Sequence, residues 1–339
     1  MHIRDAIIAV VNRTDLSQDD AAAVMEQMMN GEASPAQIAA LLTGLYLKGE
    51  TDREIAGMAA VMRAKSVAVP HEGPVVDTCG TGGDHSNTFN ISTAAAFVAA
   101  GAGATVAKHG NRAMSSKCGS ADVLEGLGVK IELDADGVAR CLSQAGIGFM
   151  FAPKFHPAMR YAGPVRREIG IRTVFNLLGP LTNPARAEYQ VIGVASAPLA
   201  EKLANALSNM NTRRALVVHG TDGLDELSIS APSLMFDVRG GEKPRRIVVE
   251  PELLGLTLAG RETIGGGTVV ENVAIIQAIL QNQDHGPRRE IVLLNAAAAL
   301  VAAERAADLR DGLDQAREAL ASGRAAERLE RLIELSNQA

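Results

Sequence analysis

The sequence predicts an α/β protein: a small all-helical domain, then a larger α/β domain whose mostly parallel central sheet is covered by helices. Three observations predict it. Residues 1–66 carry helix caps at intervals, with apolar residues spaced three and four apart. From Pro74 onward, short apolar runs alternate with helical runs, the pattern of a parallel sheet with helices on its faces. The stretch 77–120 joins an apolar run, a glycine cluster and a helix start, an arrangement that aims backbone N–H groups at phosphate.

Four helices are expected in 1–66. Ser17 caps one that closes near Gly31, and Ser34-Pro35-Ala-Gln37 opens a second that ends near Gly49. Thr51-Asp-Arg-Glu54 is another capping box, and Ile38, Leu41, Leu42 and Leu45 mark a buried face. Met25, Met28 and Met29 form a soft stripe that reads as core, with a subunit interface as second choice. The helical domain is taken as 1–70 and the α/β domain as 71–339. Strands are expected at 75–79, 104–107, 128–133, 147–152, 189–195 and 215–219, then near 226–230 and at 244–249. Helices are expected at 92–100, 120–126, 135–145 and 198–210, and the chain from about Val270 reads as mostly helical. The interval 154–186 is rich in Arg, Pro and Gly and breaks the alternation.

Composition narrows the function. A chain of 339 residues suits two domains or one large α/β unit. A net charge of −6, with three Tyr, seven Phe and no Trp, argues against nucleic-acid binding, which needs a basic surface and stacking platforms. No apolar run approaches the length of a membrane span, and the first residues lack the layout of a signal peptide. Cys79, Cys118 and Cys141 show no metal spacing, which fits reduced thiols in a cytoplasm.

The chemistry concentrates in 77–120. Gly80, Gly82 and Gly83 allow positive φ and close backbone approach. Asn90, Ser92 and Thr93 suit a helix start. From His85 through Ala121 there is no Asp or Glu, although the chain has 39 of them. Lys108, Arg112 and Lys117 lie in that span beside Ser115, Ser116 and Ser120, a composition suited to a polyanion such as pyrophosphate. Asp225-Glu226 follows an apolar run and a turn; adjacent carboxylates there suit Mg²⁺, although alone the pair reads as a solvated surface pair.

Gly80-Thr-Gly-Gly-Asp84, Asn90-Ile-Ser-Thr93 and Lys108-His-Gly-Asn-Arg112 resemble the anthranilate phosphoribosyltransferase family. The resemblance continues nearly end to end through His156-Pro-Ala-Met159, Val165-Arg-Arg-Glu168, the run from Arg172 to Pro184, and His219 to Glu226. It implies that part of 154–186 returns to the helical domain. It implies contacts to phosphoribosyl pyrophosphate from Gly80, Gly83, Asp84, Thr88, Asn90, Ile91, Ser92, Thr93, Lys108, His109, Gly110, Asn111, Arg112, Ala113, Met114, Ser115, Ser116 and Ser120. Anthranilate falls to Gly80, Asn111 and Arg166, and Mg²⁺, at two ions per subunit, to Ser92, Asp225 and Glu226.

A homodimer through the helical domains and a cytoplasmic place in tryptophan biosynthesis follow from the same resemblance. The implied reaction is glycosyl transfer: pyrophosphate leaves ribose C1 and the anthranilate amine takes its place with inversion, giving N-(5-phosphoribosyl)anthranilate. An aniline nitrogen needs no strong base, so alignment and leaving-group stabilisation carry the rate. His109 and His156 are orienting candidates, or hydrogen-bonded structural histidines. The alternatives are a pyrimidine nucleoside phosphorylase and a nucleic-acid-binding paralogue of the same fold.

Overall fold

The computed structural model describes residues 1–113, 117–210 and 212–338. Four helices come first: α1 (Ile3–Val11), α2 (Gln18–Asn30), α3 (Pro35–Lys48) and α4 (Asp52–Lys65). Ser17 caps α2, and full capping boxes start α3 (Ser34 with Gln37) and α4 (Thr51 with Glu54). Met25, Met28 and Met29 are core.

The chain then lays down β1 (Val76–Gly80), α5 (Ile91–Gly101), β2 (Val106–Gly110), α6 (Ser120–Gly126), α7 (Ala135–Ala145) and β3 (Ile147–Phe151). Next come α8 (Ala152–Phe155), α9 (Met159–Ile169) and α10 (Phe175–Leu178), then β4 (Tyr189–Gly193), α11 (Ala197–Ser208), β5 (Arg214–Gly220), β6 (Ser233–Val238) and β7 (Arg245–Val249). Four helices close the chain: α12 (Val269–Leu280), α13 (Pro287–Ala302), α14 (Leu309–Ala321) and α15 (Arg324–Asn337). The sheet order is β3-β2-β1-β4-β5-β6-β7. Its first five strands are parallel, and β6 and β7 run antiparallel at one edge.

Strand alternation divides the core. Val191, Leu216 and Val218 face one apolar cluster, under α5 and α13. Ile192, Val217 and Phe236 face another, which runs on through α9–α11 into the first four helices. The helices α9 and α10 pack back on α2, α3 and α4. No described helix is long and apolar enough to cross a membrane.

Three strand expectations need correction. The segment 128–133 alternates buried Val129, Ile131 and Leu133 with exposed Lys130 and Glu132, yet joins no sheet. The N–H groups of Gly128, Val129 and Lys130 go instead to Glu125 O, Leu124 O and the Ser336 hydroxyl. Residues 226–230 form no strand either; Leu227 gives its N–H to Asn295 and takes one back, so a side chain replaces a ladder. The strand expected at 104–107 runs Val106–Gly110, so Lys108 and His109 lie within the sheet rather than in the loop after it.

Candidate active site

The ends of β1, β2, β4 and β5 meet where the glycine loop 80–90 crosses the sheet. Gly82 and Gly83 take φ of 62° and 81°, and His85 and Asn87 also sit at positive φ, a strained backbone of the kind kept at functional sites. A Cβ on Gly83 would fall 1.4 Å from Nη1 of Arg172, which donates to Gly82 O at 3.1 Å while its Nη2 donates to Thr81 O at 3.3 Å.

Two cavities adjoin along this edge. The first, about 410 Å³, is lined by 79–93, 108–113 and 118–120 together with Arg172, Asn176, Asp225 and Glu226. It gathers Gly80, Gly83, Asp84, Thr88, Asn90–Thr93, Lys108–Ala113 and Ser120. Met114, Ser115 and Ser116 lie outside the described residues. The second, about 530 Å³, gathers Gly80, Asn111 and Arg166 with His156, Phe175 and Pro180. Gly80, His109, Asn111 and Asn176 belong to both walls.

Within the first cavity several polar side chains are engaged by partners within the protein. Lys108 is 3% exposed. Its Nζ donates to Thr78 O and lies 3.4 Å from the Ser92 hydroxyl. Burial pulls its pKa down, and the carboxylate of Asp77 opposes that pull. The Arg112 guanidinium turns to Asp122 (3.0 Å) and Glu125 (2.8 Å) and lies over the Phe151 ring. Asn90 starts α5 without a side-chain cap; its amide donates to Cys118 O and its Oδ1 accepts from Asn272.

The acids crowd together. Asp225 Oδ2 accepts the Gly82 N–H at 3.0 Å. Burial, then the facing Asp84, lifts its pKa to about 7. Burial, then Asp225, pushes Glu226 well above the carboxylate range, while the Ser92 N–H points at it. Asp84 Oδ2 is buried with no hydrogen-bond partner among the described residues. Carboxylates under this mutual load, with the Ser92 hydroxyl at hand, fit a hard divalent cation such as Mg²⁺. Among the described residues no three His, Cys, Asp or Glu side chains converge into a complete cage.

The second cavity is differently charged. Arg166 on α9 lies over the Phe175 ring at 5.0 Å. Burial alone lowers its pKa, with no acid among the described residues offsetting the effect. Arg160 and Arg167 share the lining. The rings of His109 and His156 lie 5.1 Å apart, each with a buried Nε2 that has no hydrogen-bond partner among the described residues. Burial, then His156, brings His109 down to about 3, and burial brings His156 to about 4. Both imidazoles are therefore neutral near pH 7. Burial, then Asp77, pushes the Cys79 thiol well up, so it stays protonated and is no nucleophile.

Four residues in this architecture are absent from the sequence-based set: Arg172, Asn176, Asp122 and Asn272. Arg172 had a signal, since it begins one of the family-like runs. Asn176 lay unmarked within that run. The other two act through hydrogen bonds across long loops, which no local pattern announces.

A family model described as "Glycosyl transferase family, helical bundle domain" matches residues 4–66, and one described as "Glycosyl transferase family, a/b domain" matches 72–326. The chain is 78% identical over 337 residues to the anthranilate phosphoribosyltransferase of Herpetosiphon aurantiacus, covering 99% of this chain and 100% of that one. The structure of anthranilate phosphoribosyltransferase from Thermus thermophilus superposes with a TM-score of 0.93 at 43% identity, covering 98% and 99% of the two chains. The enzyme of Saccharomyces cerevisiae in complex with PRPP and Mg superposes at 0.90 with 26% identity, and in complex with 4-fluoroanthranilate at 0.88 with 25%. Each yeast comparison covers 99% of this chain and 98% of that one.

The histidine pair yields a pH prediction. An unfolded histidine titrates near 6.5, so below that value the unfolded chain binds protons that the folded pair refuses. Their contribution to stability is fully present above about pH 6.5 and falls as pH drops toward 4 and then 3. The slope approaches about 1.4 kcal/mol per pH unit for each ring. Denaturant midpoints from pH 7.5 to 5 should fall more steeply in the wild type than in a His109→Gln, His156→Gln variant. Identical slopes would assign the dependence to other groups.

Proposed function

The chain belongs to the anthranilate phosphoribosyltransferase family, and from that premise we propose that its two adjoining cavities take the donor and the acceptor separately. The protein transfers the phosphoribosyl group of phosphoribosyl pyrophosphate to anthranilate, a step of tryptophan biosynthesis. This is the activity its relatives carry, in place of the phosphorylase or the nucleic-acid-binding paralogue.

The observation that carries the assignment is the unlike charge of two cavities with a shared wall. The glycine loop, the start of α5 and the loop after β2 hold the donor in the first cavity. Gly80, Gly83, Asp84, Thr88, Asn90–Thr93, Lys108–Ala113 and Ser120 are its contacts, and Met114–Ser116 complete the set. Arg166, with Gly80 and Asn111, takes anthranilate in the second. A guanidinium held over Phe175, with no acid beside it among the described residues, suits a benzoate carboxylate in a bidentate grip. His109 and His156, neutral and without a hydrogen-bond partner at Nε2 among the described residues, sit beside the acceptor and orient its amine rather than ionise. Lys108 acts from beneath, holding Ser92 and opposing the charge of Asp77 and Glu226.

Ser92, Asp225 and Glu226 would hold two Mg²⁺ ions per subunit. When bound, the ions neutralise the leaving pyrophosphate. Asp225→Ala with Glu226→Gln should abolish most turnover and leave the fold intact. Manganese titration followed by electron paramagnetic resonance, with donor present, should count two ions in the wild type and fewer in the variant. Undiminished activity across a magnesium titration would remove both carboxylates from the mechanism.

Arg166→Ala tests the division of the cavities. Removing one partner of a desolvated charge pair costs about 2–5 kcal/mol. The low end predicts a loss of at least about 30-fold in kcat/KM for anthranilate. Donor binding should survive. Aniline, which lacks the carboxylate, should be a poor substrate of the wild type and lose little more in the variant. Equal losses for both acceptors would make Arg166 a support of the fold and not a reader of the carboxylate.

A homodimer through the helical bundle belongs to the same reading. Ile8 and Val11 on α1 and Tyr46 and Leu47 on α3 are 61%, 66%, 52% and 71% exposed, on helices packed against each other. Such a patch on neighbouring helices suits a subunit contact. Light scattering should give a dimer for the wild type and a monomer for an Ile8→Asp, Leu47→Glu variant; a wild-type monomer at micromolar concentration contradicts it.

A further inference from the structure

The donor loop leaves β2 at Gly110 and returns to α6 at Ser120. Its two limbs meet in a narrow neck. Ala121 N–H and the Ser120 hydroxyl both donate to Asn111 O, at 3.2 and 3.3 Å. A Cβ on Gly119 would fall 2.4 Å from Ala113 N and 2.6 Å from the carbonyl carbon of Arg112, so only glycine fits there. One oxygen spans the neck: Asp122 Oδ2 accepts the N–H of Ala113 and the N–H of Gly119, each at 2.9 Å. The other oxygen, Oδ1, accepts from Arg112 Nη1 at 3.0 Å, and Glu125 takes the rest of that guanidinium.

We infer that Asp122, which lines neither cavity, is the positioning residue that pins the limbs 110–113 and 117–120 together for donor binding. An acid three residues into a helix ordinarily bonds the N-cap N–H, and the Gly119 bond is of that kind. The Ala113 bond is not. It reaches nine residues back across the loop and fixes the outgoing limb against the incoming one. Arg112, bonded to Asp122 and Glu125, steadies the pin. Asp122 is also the first carboxylate after the acid-free stretch, so the loop gains a negative anchor at its base without placing an acid among the phosphate contacts. Limbs that are already pinned meet the donor in place, whereas unpinned limbs must be brought together on binding.

The inference rests on the reading that this loop grips the donor, and the experiment separates the two. Steady-state kinetics and donor binding by calorimetry are measured for Asp122→Ala, Asp122→Asn and Ser120→Ala. Asn keeps one oxygen able to accept both N–H groups and turns its amide toward Arg112, which Glu125 still holds. Asp122→Ala is expected to raise KM for phosphoribosyl pyrophosphate about tenfold or more, the cost of bringing unpinned limbs together on binding. The KM for anthranilate should stay within about twofold and kcat should fall less than the donor KM rises, while Asp122→Asn should recover most of the donor affinity. A loss shared equally by both substrates, or an Asn variant as impaired as Ala, overturns the pin. If Ser120→Ala weakens the donor and Asp122→Ala does not, the pin alone fails. If neither variant alters donor affinity, the loop is not the donor site and both readings fall together. Should Asp122→Ala fold poorly, the Asn variant decides: a donor KM raised tenfold in an intact protein would leave the shared oxygen without its role.

Discussion

One buried carboxylate sets the register of everything at this sheet edge. Asp77 in β1 is fully buried. It accepts the His109 N–H from β2 at 3.1 Å and an Asn183 amide hydrogen at 2.8 Å. Asn183 donates as well to Ala107 O and holds the Ala185 N–H. A single acid therefore joins the strand that feeds the glycine loop, the strand that carries Lys108 and His109, and the chain returning from the helical half. Such a charge is tolerated only when hydrogen-bonded and opposed. Burial raises the Asp77 pKa, and Lys108 on the next strand counters it first. Lys108 is thus committed to the fold before any substrate arrives.

That commitment explains the electrostatics above it. With Lys108 turned beneath Ser92, and Arg112 turned to Asp122 and Glu125, the first cavity keeps Asp84, Asp225 and Glu226 without an equal cationic answer from the chain. The missing positive charge suits a metal ion that arrives with a polyanion. The second cavity inverts the arrangement, with Arg166 and neutral histidines and, among the described residues, no acid at the guanidinium. On the proposed division of the cavities, opposite deficits on two sides of a shared wall would sort two anionic substrates without a large recognition surface.

Much of this was legible in the sequence, for identifiable reasons. Capping boxes at Ser34 and Thr51 are local chemistry and appear where the pattern put them. The strand–glycine loop–helix unit is also local, and its motif residues line one cavity. The failures have one physical source: a sequence pattern reports burial, and burial does not specify the partner. Residues 128–133 alternate because one side faces the core, yet the N–H groups of Gly128, Val129 and Lys130 are answered by Glu125, Leu124 and Ser336. Lys108 was expected in the loop after a strand at 104–107, but the strand runs Val106–Gly110, so its side chain leaves the sheet toward Thr78 and Ser92. Asp122 and Asn272 were silent, since an isolated Asp or Asn beyond a loop has no local mark.

The reaction's demands then rest on packing more than on any single catalytic group. An aniline nitrogen attacks without a strong base, so the rate depends on how well the amine faces ribose C1, and an error near 1 Å can cost about a hundredfold. The proposed holders of the two substrates come from different layers. Arg166 rides on α9, packed on α2 and α3, whereas the donor loops spring from the sheet. Their separation is set by the shared wall of Gly80, His109, Asn111 and Asn176, and by Arg172, which reaches from the returning segment to Thr81 O and Gly82 O. Asp77 and Asn183 fix that wall from below. The buried polar network thus holds the wall between the two cavities, and this accounts for an acid being kept at the centre of the sheet against the cost of burying it.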